Sequence, residues 1–166
     1  MHIKIRKIQK KDLNQALLIY NYFIENSFSN FEEKKLSFKK FNTQYEKITK
    51  NKLPFLIAEY NKIVVGIAFL NNYRFKSGYK YSFENSIYVD HNYINKGIGS
   101  KLLKRLVSES KKNKNIKNII AVIGDSSNKI SINIHEKNGF KKIGILRKIG
   151  YKKRKWIDSV YMQLML

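Results

Sequence analysis

Two glycines stand in front of an amphipathic run in Asn95-Lys96-Gly97-Ile98-Gly99-Ser100-Lys101-Leu102-Leu103-Lys104-Arg105-Leu106, and the chemistry open to such a stretch is the binding of phosphate. Just upstream, Ser86-Ile87-Tyr88-Val89 reads as the end of a strand, because Ile, Tyr and Val suit a pleated, half-buried surface. The glycines therefore join a strand to a helix. The first amides of that helix have no partner within it and point outward with the positive end of the helix dipole. Gly97 and Gly99 let a ligand approach where a Cβ would block it. Two familiar phosphate loops do not fit. A nucleotide P-loop needs Gly-Lys-Ser/Thr where this chain has Gly99-Ser100-Lys101, and a dinucleotide fingerprint needs a third glycine where Leu102 stands.

The elements that must position this junction alternate between strand and helix. Ile3 to Ile8 alternates apolar and basic residues, the pattern of a strand with one face on the core. Asp12 is expected to cap a helix on which Leu13, Ala16, Leu17, Tyr20, Phe23 and Ile24 share a face. Ser27 to Lys35 is polar and irregular. A second amphipathic helix is expected from Ser37 to about Lys50, with Phe38, Phe41, Tyr45 and Ile48 on its apolar side, ended by Pro54. Phe55–Tyr60 and Ile63–Leu70 flank Asn61-Lys62 as a central hairpin, and Tyr81–Val89 is the strand that leads into the glycine junction. Leu102, Leu103, Leu106 and Val107 turn the following helix inward. Ile116 to Ile123 reads as a strand buried on both sides, Asn128 to Lys137 as a helix ended by Asn138-Gly139, and Phe140–Arg147 and Trp156–Leu166 as closing strands. The order β-α-α-β-β-β-α-β-α-β-β has one parallel crossover, through the glycine-junction helix.

At 166 residues, 43% of them hydrophobic, the chain is long enough for one domain and too short to expect two, so a single domain over residues 1–166 is the working reading. It has no cysteine, which removes disulfides, thiolate nucleophiles and zinc–thiolate sites. His2, His91 and His135 show no metal-ligand spacing, so no metal is expected. The N-terminus lacks the apolar core of a signal peptide, and no run approaches the ~18 apolar residues of a membrane span. A cytoplasmic protein without a membrane partner is expected. The formal net charge of +22 would suit nucleic acid, since Lys and Arg release counterions from phosphates. Against that, the lysines are spread through every segment, only Arg6, Arg74, Arg105, Arg147 and Arg154 are arginine, and there is no recognisable nucleic-acid module. The charge reads as compositional.

The mid-chain Gly-x-Gly after a strand, followed on a later helix by Asn128, Ser131, His135, Glu136, Lys137, Gly139 and Phe140, resembles the GNAT acetyltransferase superfamily. Three further stretches carry the resemblance to phosphinothricin N-acetyltransferase and its relatives that acetylate methionine sulfone and methionine sulfoximine. They are Asn21 to Asn26, the loop Tyr73 to Glu84 leading to Ser86-Ile87-Tyr88-Val89, and Leu146 to Lys152 before Trp156-Ile157-Asp158. The likeness runs from about Ile3 to Leu164. It implies an α/β (α+β) GNAT fold: a mixed, mostly antiparallel sheet of about seven strands flanked by helices and splayed at the acetyl-CoA site. It also implies acetyl-CoA as co-substrate, a small amino acid as acceptor and a homodimer.

The resemblance distributes roles over this chain as follows. Glu84, near the start of the strand that runs to the junction, is the general base that takes the amine's proton, through a water. His135 stands where many superfamily members have a tyrosine, and serves as acid to the departing thiolate or as relay base. Ile87, Tyr88, Val89, Asn95, Lys96 and Gly97 belong to the acetyl-CoA site. So do Ile98, Gly99, Ser100 and Ser131, with Asn128 bonding the pantetheine arm or the splayed backbone. Ile94 also lies there, at a position where the family usually has Gln or Arg, so cofactor anchoring is expected to be weaker or different. Arg74 and Lys76 clamp the acceptor's carboxylate, a bidentate pair in the case of Arg74, and Phe28, Phe31 and Tyr79 line its side-chain pocket. The alternative is a GNAT-like protein acting on ribosomal or other macromolecular targets. An aminoglycoside acceptor is disfavoured, because a polycation wants an acidic cleft and the chain has 12 acidic residues against 34 basic ones.

Overall fold

The apolar stretch from Phe55 to Asn72 folds as a hairpin, and its turn, Asn61-Lys62, holds both residues at positive φ (49° and 64°), as a two-residue hairpin turn requires. The computed structural model describes residues 1–166. Its strands are β1 (Lys4–Lys7), β2 (Phe55–Tyr60), β3 (Ile63–Asn72), β4 (Ser82–Val89), β5 (Asn118–Gly124), β6 (Lys141–Lys152) and β7 (Lys155–Met165). They form one sheet in the order β1-β2-β3-β4-β5-β7-β6, antiparallel throughout except between β4 and β5. The helices are α1 (Leu13–Asn26), α2 (Phe38–Lys50), α3 (Ile98–Lys111) and α4 (Lys129–Lys137). The mixed, mostly antiparallel sheet and the single parallel crossover through α3 are those expected from the sequence.

The two faces of the sheet carry different helices. Tyr20 of α1 packs on Phe69 and Tyr88, at ring separations of 6.2 and 5.3 Å, so the even residues of β4 face α1 and α2. Gly66 faces the other way, where a Cβ would come within 3.0 Å of Leu102 of α3; the missing side chain lets that helix lie close to the sheet. Because Gly66 pairs with Val89 and Leu70 with Asn85, the odd residues of β4 look toward α3 and α4. Glu84 and Asn85 are thus neighbours in sequence on opposite faces of one strand.

Several local expectations change in the folded chain. Asp12 does not cap α1: its carboxylate accepts from the Arg6 guanidinium at 2.7 and 2.8 Å and from the Gln9 amide at 2.8 Å, which ties β1 to the short 3-10 turn before the helix. Phe38 is exposed rather than part of the apolar side of α2, whose buried residues are Phe41 and Ile48; on α1, Ile19 joins the core. In β5, Ile120 and Val122 are only half-buried. Of the last two strands, β6 runs on to Lys152, past the Arg147 expected to end it, while β7 keeps its expected length. They meet at Lys153-Arg154, a turn with both φ values positive (50° and 61°). No helix is long and apolar enough to cross a membrane.

Candidate active site

β4 and β5 pair only at Ser82–Asn118, Phe83–Ile119 and Glu84–Ile120. Beyond Glu84 the strands part: β4 continues to Val89 against β3 alone, and β5 continues to Gly124 against β7. The backbone of Asn85 to Val89 therefore turns one edge of unpaired amides and carbonyls into a cleft inside the sheet. Buried backbone groups of this kind require partners, so the opening is suited to a polar, extended ligand. The cleft has a volume of about 210 Å³. Its walls are Glu84 to Val89, Ala121 to Gly124, Ile94, Gly99, Asn128 at the start of α4 and the α4 side chains Ser131, Ile134 and His135, together with Phe23 and Ser29.

The glycine junction closes one end of this cleft. Gly97 is the residue before α3 and sits in the left-handed region at φ 72°, which glycine adopts without the penalty a Cβ brings. The first intrahelical bond runs from the Lys101 amide to the Gly97 carbonyl, so the amides of Ile98, Gly99 and Ser100 point out of the helix end. Gly99 is not needed for packing: a Cβ there would meet only Ile134 and Val89 side-chain carbons, at 3.6 and 3.7 Å. A free helix N-terminus beside a position left bare without a structural cause fits a pyrophosphate. Ile87, Tyr88, Val89, Ile94, Gly99, Asn128 and Ser131 line the cleft. Ile98 buries its side chain in the core and offers only its amide, and Asn95, Lys96, Gly97 and Ser100 are not among the residues that line the cleft. The Lys96 ammonium rests over the Tyr93 ring. Asn128 spends its side-chain oxygen on the Ser131 amide at 3.1 Å, capping α4.

Glu84 sits where the strands part, on the α1/α2 face. Burial pushes its carboxyl up to about 7, with the Arg74 cation pulling weakly in the opposite direction. No salt bridge or hydrogen bond holds its side chain. A carboxyl poised near neutrality, half-buried and without a structural partner, is suited to proton transfer. The same carboxylate borders a second, basic cleft that includes Lys40, Lys47 and Asn71.

His135 reaches the cleft from the opposite face and is buried, at 4% exposure. Its Nδ1 lies 2.7 Å from the Ser131 carbonyl and its Nε2 2.9 Å from the Asn85 side-chain amide. Burial holds its pKa below the ordinary imidazole value, outweighing the hydrogen bond to Ser131. The Phe140 ring packs edge-on against it at 5.0 Å.

The expected acceptor residues are less tightly gathered. Arg74, Lys76 and Tyr79 are exposed on the loop before β4; Arg74 stacks on Tyr73, and Tyr79 meets the same ring edge-on. Phe28 and Phe31 lie on the segment between α1 and α2, outside the cleft lining. That segment is held closely. A Cβ on Gly150 would fall within 2.4 to 2.8 Å of the Phe31 ring, and one on Gly124 within 1.9 Å of the Phe28 carbonyl. Buried Lys152 donates to the carbonyls of Ser27 and Asn30. Sequence reasoning passed over Lys152, and over Asn85. The signal for Asn85 was present: on the Phe83-Asn85-Ile87-Val89 face of β4 it is the one polar residue.

The model of the acetyltransferase (GNAT) domain matches residues 5–161. Phosphinothricin N-acetyltransferase of Alcaligenes faecalis is 31% identical over 96% of this chain and 80% of its own length. The L-methionine sulfoximine/L-methionine sulfone acetyltransferase of Salmonella typhimurium is 30% identical over 98% and 94%. Among solved structures, an acetyltransferase of Salmonella typhimurium with its cofactor acetyl-CoA superposes with a TM-score of 0.95 at 30% identity, covering 100% of this chain and 95% of that one. A ribosomal-protein-alanine N-acetyltransferase of Brucella melitensis gives 0.94 at 32% identity, covering 98% and 99%.

Proposed function

The chain belongs to the GNAT acetyltransferase family, and on that premise we propose that it acetylates the α-amine of a small amino acid of the phosphinothricin or methionine sulfone/sulfoximine type. Acetyl-CoA-dependent N-acetyl transfer is the activity of its relatives, and acetyl-CoA is the co-substrate. The observation that carries the finer reading is Glu84: a partnerless carboxyl near neutrality at the fork of β4 and β5, with Arg74 close enough to act on its charge.

In this reading the acceptor enters on the α1/α2 face as an ammonium, which has no lone pair to attack with. Glu84, directly or through a water, takes one proton. The freed amine attacks the thioester carbonyl, the C–N bond forms, and the C–S bond breaks to release the thiolate of CoA. Unpaired amides along Asn85–Val89 stabilise the oxyanion that develops between these events. The nitrogen's second proton leaves as the amide forms, and the thiolate takes up one proton. Arg74 and Lys76 hold the acceptor's carboxylate, and Phe31 and Tyr79 border its side chain. The α3 amides, with Asn95, Lys96 and Ser100 at that helix end, receive the pyrophosphate.

Ile143, Leu146, Ile149, Tyr151 and Trp156 are exposed on the β6–β7 hairpin, an apolar edge that supports a homodimer. We propose a cytoplasmic enzyme acting as one domain. A second reading has support in the likeness to the ribosomal-protein-alanine N-acetyltransferase and in the +22 charge: acetylation of a protein N-terminus. The two differ in the acceptor's carboxylate. A panel of phosphinothricin, methionine sulfone, methionine sulfoximine, their amides and a basic peptide with a free N-terminus, followed by CoA release, separates them. Faster turnover of the free amino acids is expected. Preference for the amides or the peptide over every free amino acid would overturn the proposal.

A further inference from the structure

The hydrogen bonds of His135 fix more than its own position. A carbonyl oxygen only accepts, so the contact between Nδ1 and the Ser131 carbonyl places a proton on Nδ1. In the neutral ring Nε2 is then a bare acceptor, and the group 2.9 Å from it must be a donor. Asn85 can supply one only through its NH2. The orientation of that amide follows from the network: Nδ2 toward His135, Oδ1 away from it. Asn85 is 7% exposed, and its Oδ1 is buried without a hydrogen-bond partner. An unsatisfied buried acceptor costs about 1–3 kcal/mol, a cost with no return in the free protein. The residue lines the cleft beside Ser86, Ile87, Asn128 and Ile134.

What completes Asn85 is set by the face it occupies. The amine that loses its proton to Glu84 lies on the α1/α2 side of β4, and Asn85 is turned to the α4 side. The pantetheine arm of a bound acyl-CoA carries two secondary amide N–H groups and, farther from the sulfur, one hydroxyl; Asn85 adjoins Glu84 at the fork, the thioester end of the arm, where the amides lie, and a thioester sulfur donates nothing. We propose that Asn85 Oδ1 accepts a hydrogen bond from a pantetheine amide, and that His135 is the positioning residue that turns Asn85 to do so. His135 then carries no proton to the thiolate: one ring nitrogen is held by Ser131, and the other accepts from Asn85. The assignment rests on the reading of the split between β4 and β5 as the acyl-CoA cleft.

Binding of acetyl-CoA and of adenosine 3′,5′-bisphosphate, which lacks the arm, tests both by calorimetry. Asn85→Leu is expected to weaken acetyl-CoA by roughly five- to tenfold and to leave the bisphosphate unchanged. His135→Gln should weaken acetyl-CoA by a similar factor, and the double variant should be no worse than either single one, because the two residues act as a unit. The milder Asn85→Ser serves if the leucine variant does not fold. In the wild type, ¹⁵N spectra of the imidazole near pH 7.5 should show Nδ1 protonated and Nε2 bare. Unchanged acetyl-CoA affinity in folded Asn85 variants would overturn the proposal, as would a proton on Nε2. If both ligands fail to bind the wild type, the cleft assignment itself is wrong, and the wild-type titration reads that separately from the variants.

Discussion

Glu84→Gln should abolish most activity and, above neutral pH, make the protein more stable. Burial moves this carboxyl from 4.5 to about 7, and at about 1.4 kcal/mol for each pH unit the folded anion is disfavoured by roughly 3 kcal/mol relative to the unfolded one. The sign follows from the raised value. Below about 4.5 both states are protonated and the stabilising effect of the folded state's proton is fully present; it is lost as pH rises through about 7. Glutamine keeps the shape without the charge. At about pH 8.5 it should therefore raise the melting temperature by up to roughly 6–12 °C for a chain of this size, and by little near pH 4.5. Turnover should fall by the roughly 10²–10⁴ typical of a general acid–base residue.

Thermal melts of both proteins at the two pH values, with kcat/KM followed from about pH 5.5 to 9, make the assay. The wild-type profile should rise to a plateau with a midpoint near 7, the free-enzyme value for Glu84. A structural carboxylate behaves oppositely, since removing its charge would strand a partner and lower the melting temperature at high pH. A glutamine variant that is less stable at pH 8.5, or that turns over like the wild type, would refute the reasoning.

Arg74→Ala should raise KM for the amino acid and leave acetyl-CoA affinity unchanged. The midpoint of the kcat/KM profile should move to higher pH, because the guanidinium lowers the Glu84 pKa; a midpoint that stays fixed would separate the two residues. Gly99→Ala should melt like the wild type, given the ordinary contacts its Cβ would make, yet bind acetyl-CoA measurably more weakly in calorimetry. Gly97→Ala should lose about 1–2 kcal/mol of stability from its left-handed backbone, read from denaturant unfolding.

How much of this was legible in the sequence depended on whether the signal was local. Asn61-Lys62 between two apolar runs could be read as a hairpin because asparagine tolerates positive φ. Lys153-Arg154 makes the same kind of turn with residues that carry no such signal, and β6 is basic and largely exposed, so its second half did not register as strand. Arg147 and the Lys148 amide both bind Asp158, pinning the irregular stretch of that hairpin through a contact 10 or 11 residues distant in the chain. Asp12 preceded a helix as a cap should, but a guanidinium from β1 took its oxygens. The apolar run of β5 looked buried on both sides because periodicity records hydrophobicity and cannot record that a neighbouring strand has turned away.

That departure of β4 from β5 is what makes the site, and no residue encodes it alone. Glu84 is the last residue of β4 paired with β5 and Asn85 the first beyond it. Strand alternation sends one side chain to the α1/α2 face and the other to α4, so two adjacent residues address opposite sides of the same opening. A proton acceptor on one face and a hydrogen-bond acceptor on the other can meet two different molecules, the amine and the pantetheine arm, without competing for space. A one-residue slip of β4 would turn both to the wrong face: in one direction an amide takes the place of the base, in the other a carboxylate takes the place of the amide beside His135. The apolar partners on each face, Phe83 with Ile87 and Tyr88 with α1, oppose that slip, since it would turn the buried Tyr88 ring out of its contact with Tyr20. The register of one strand, held by its hydrophobic residues, is therefore what keeps the chemistry of the two polar ones apart.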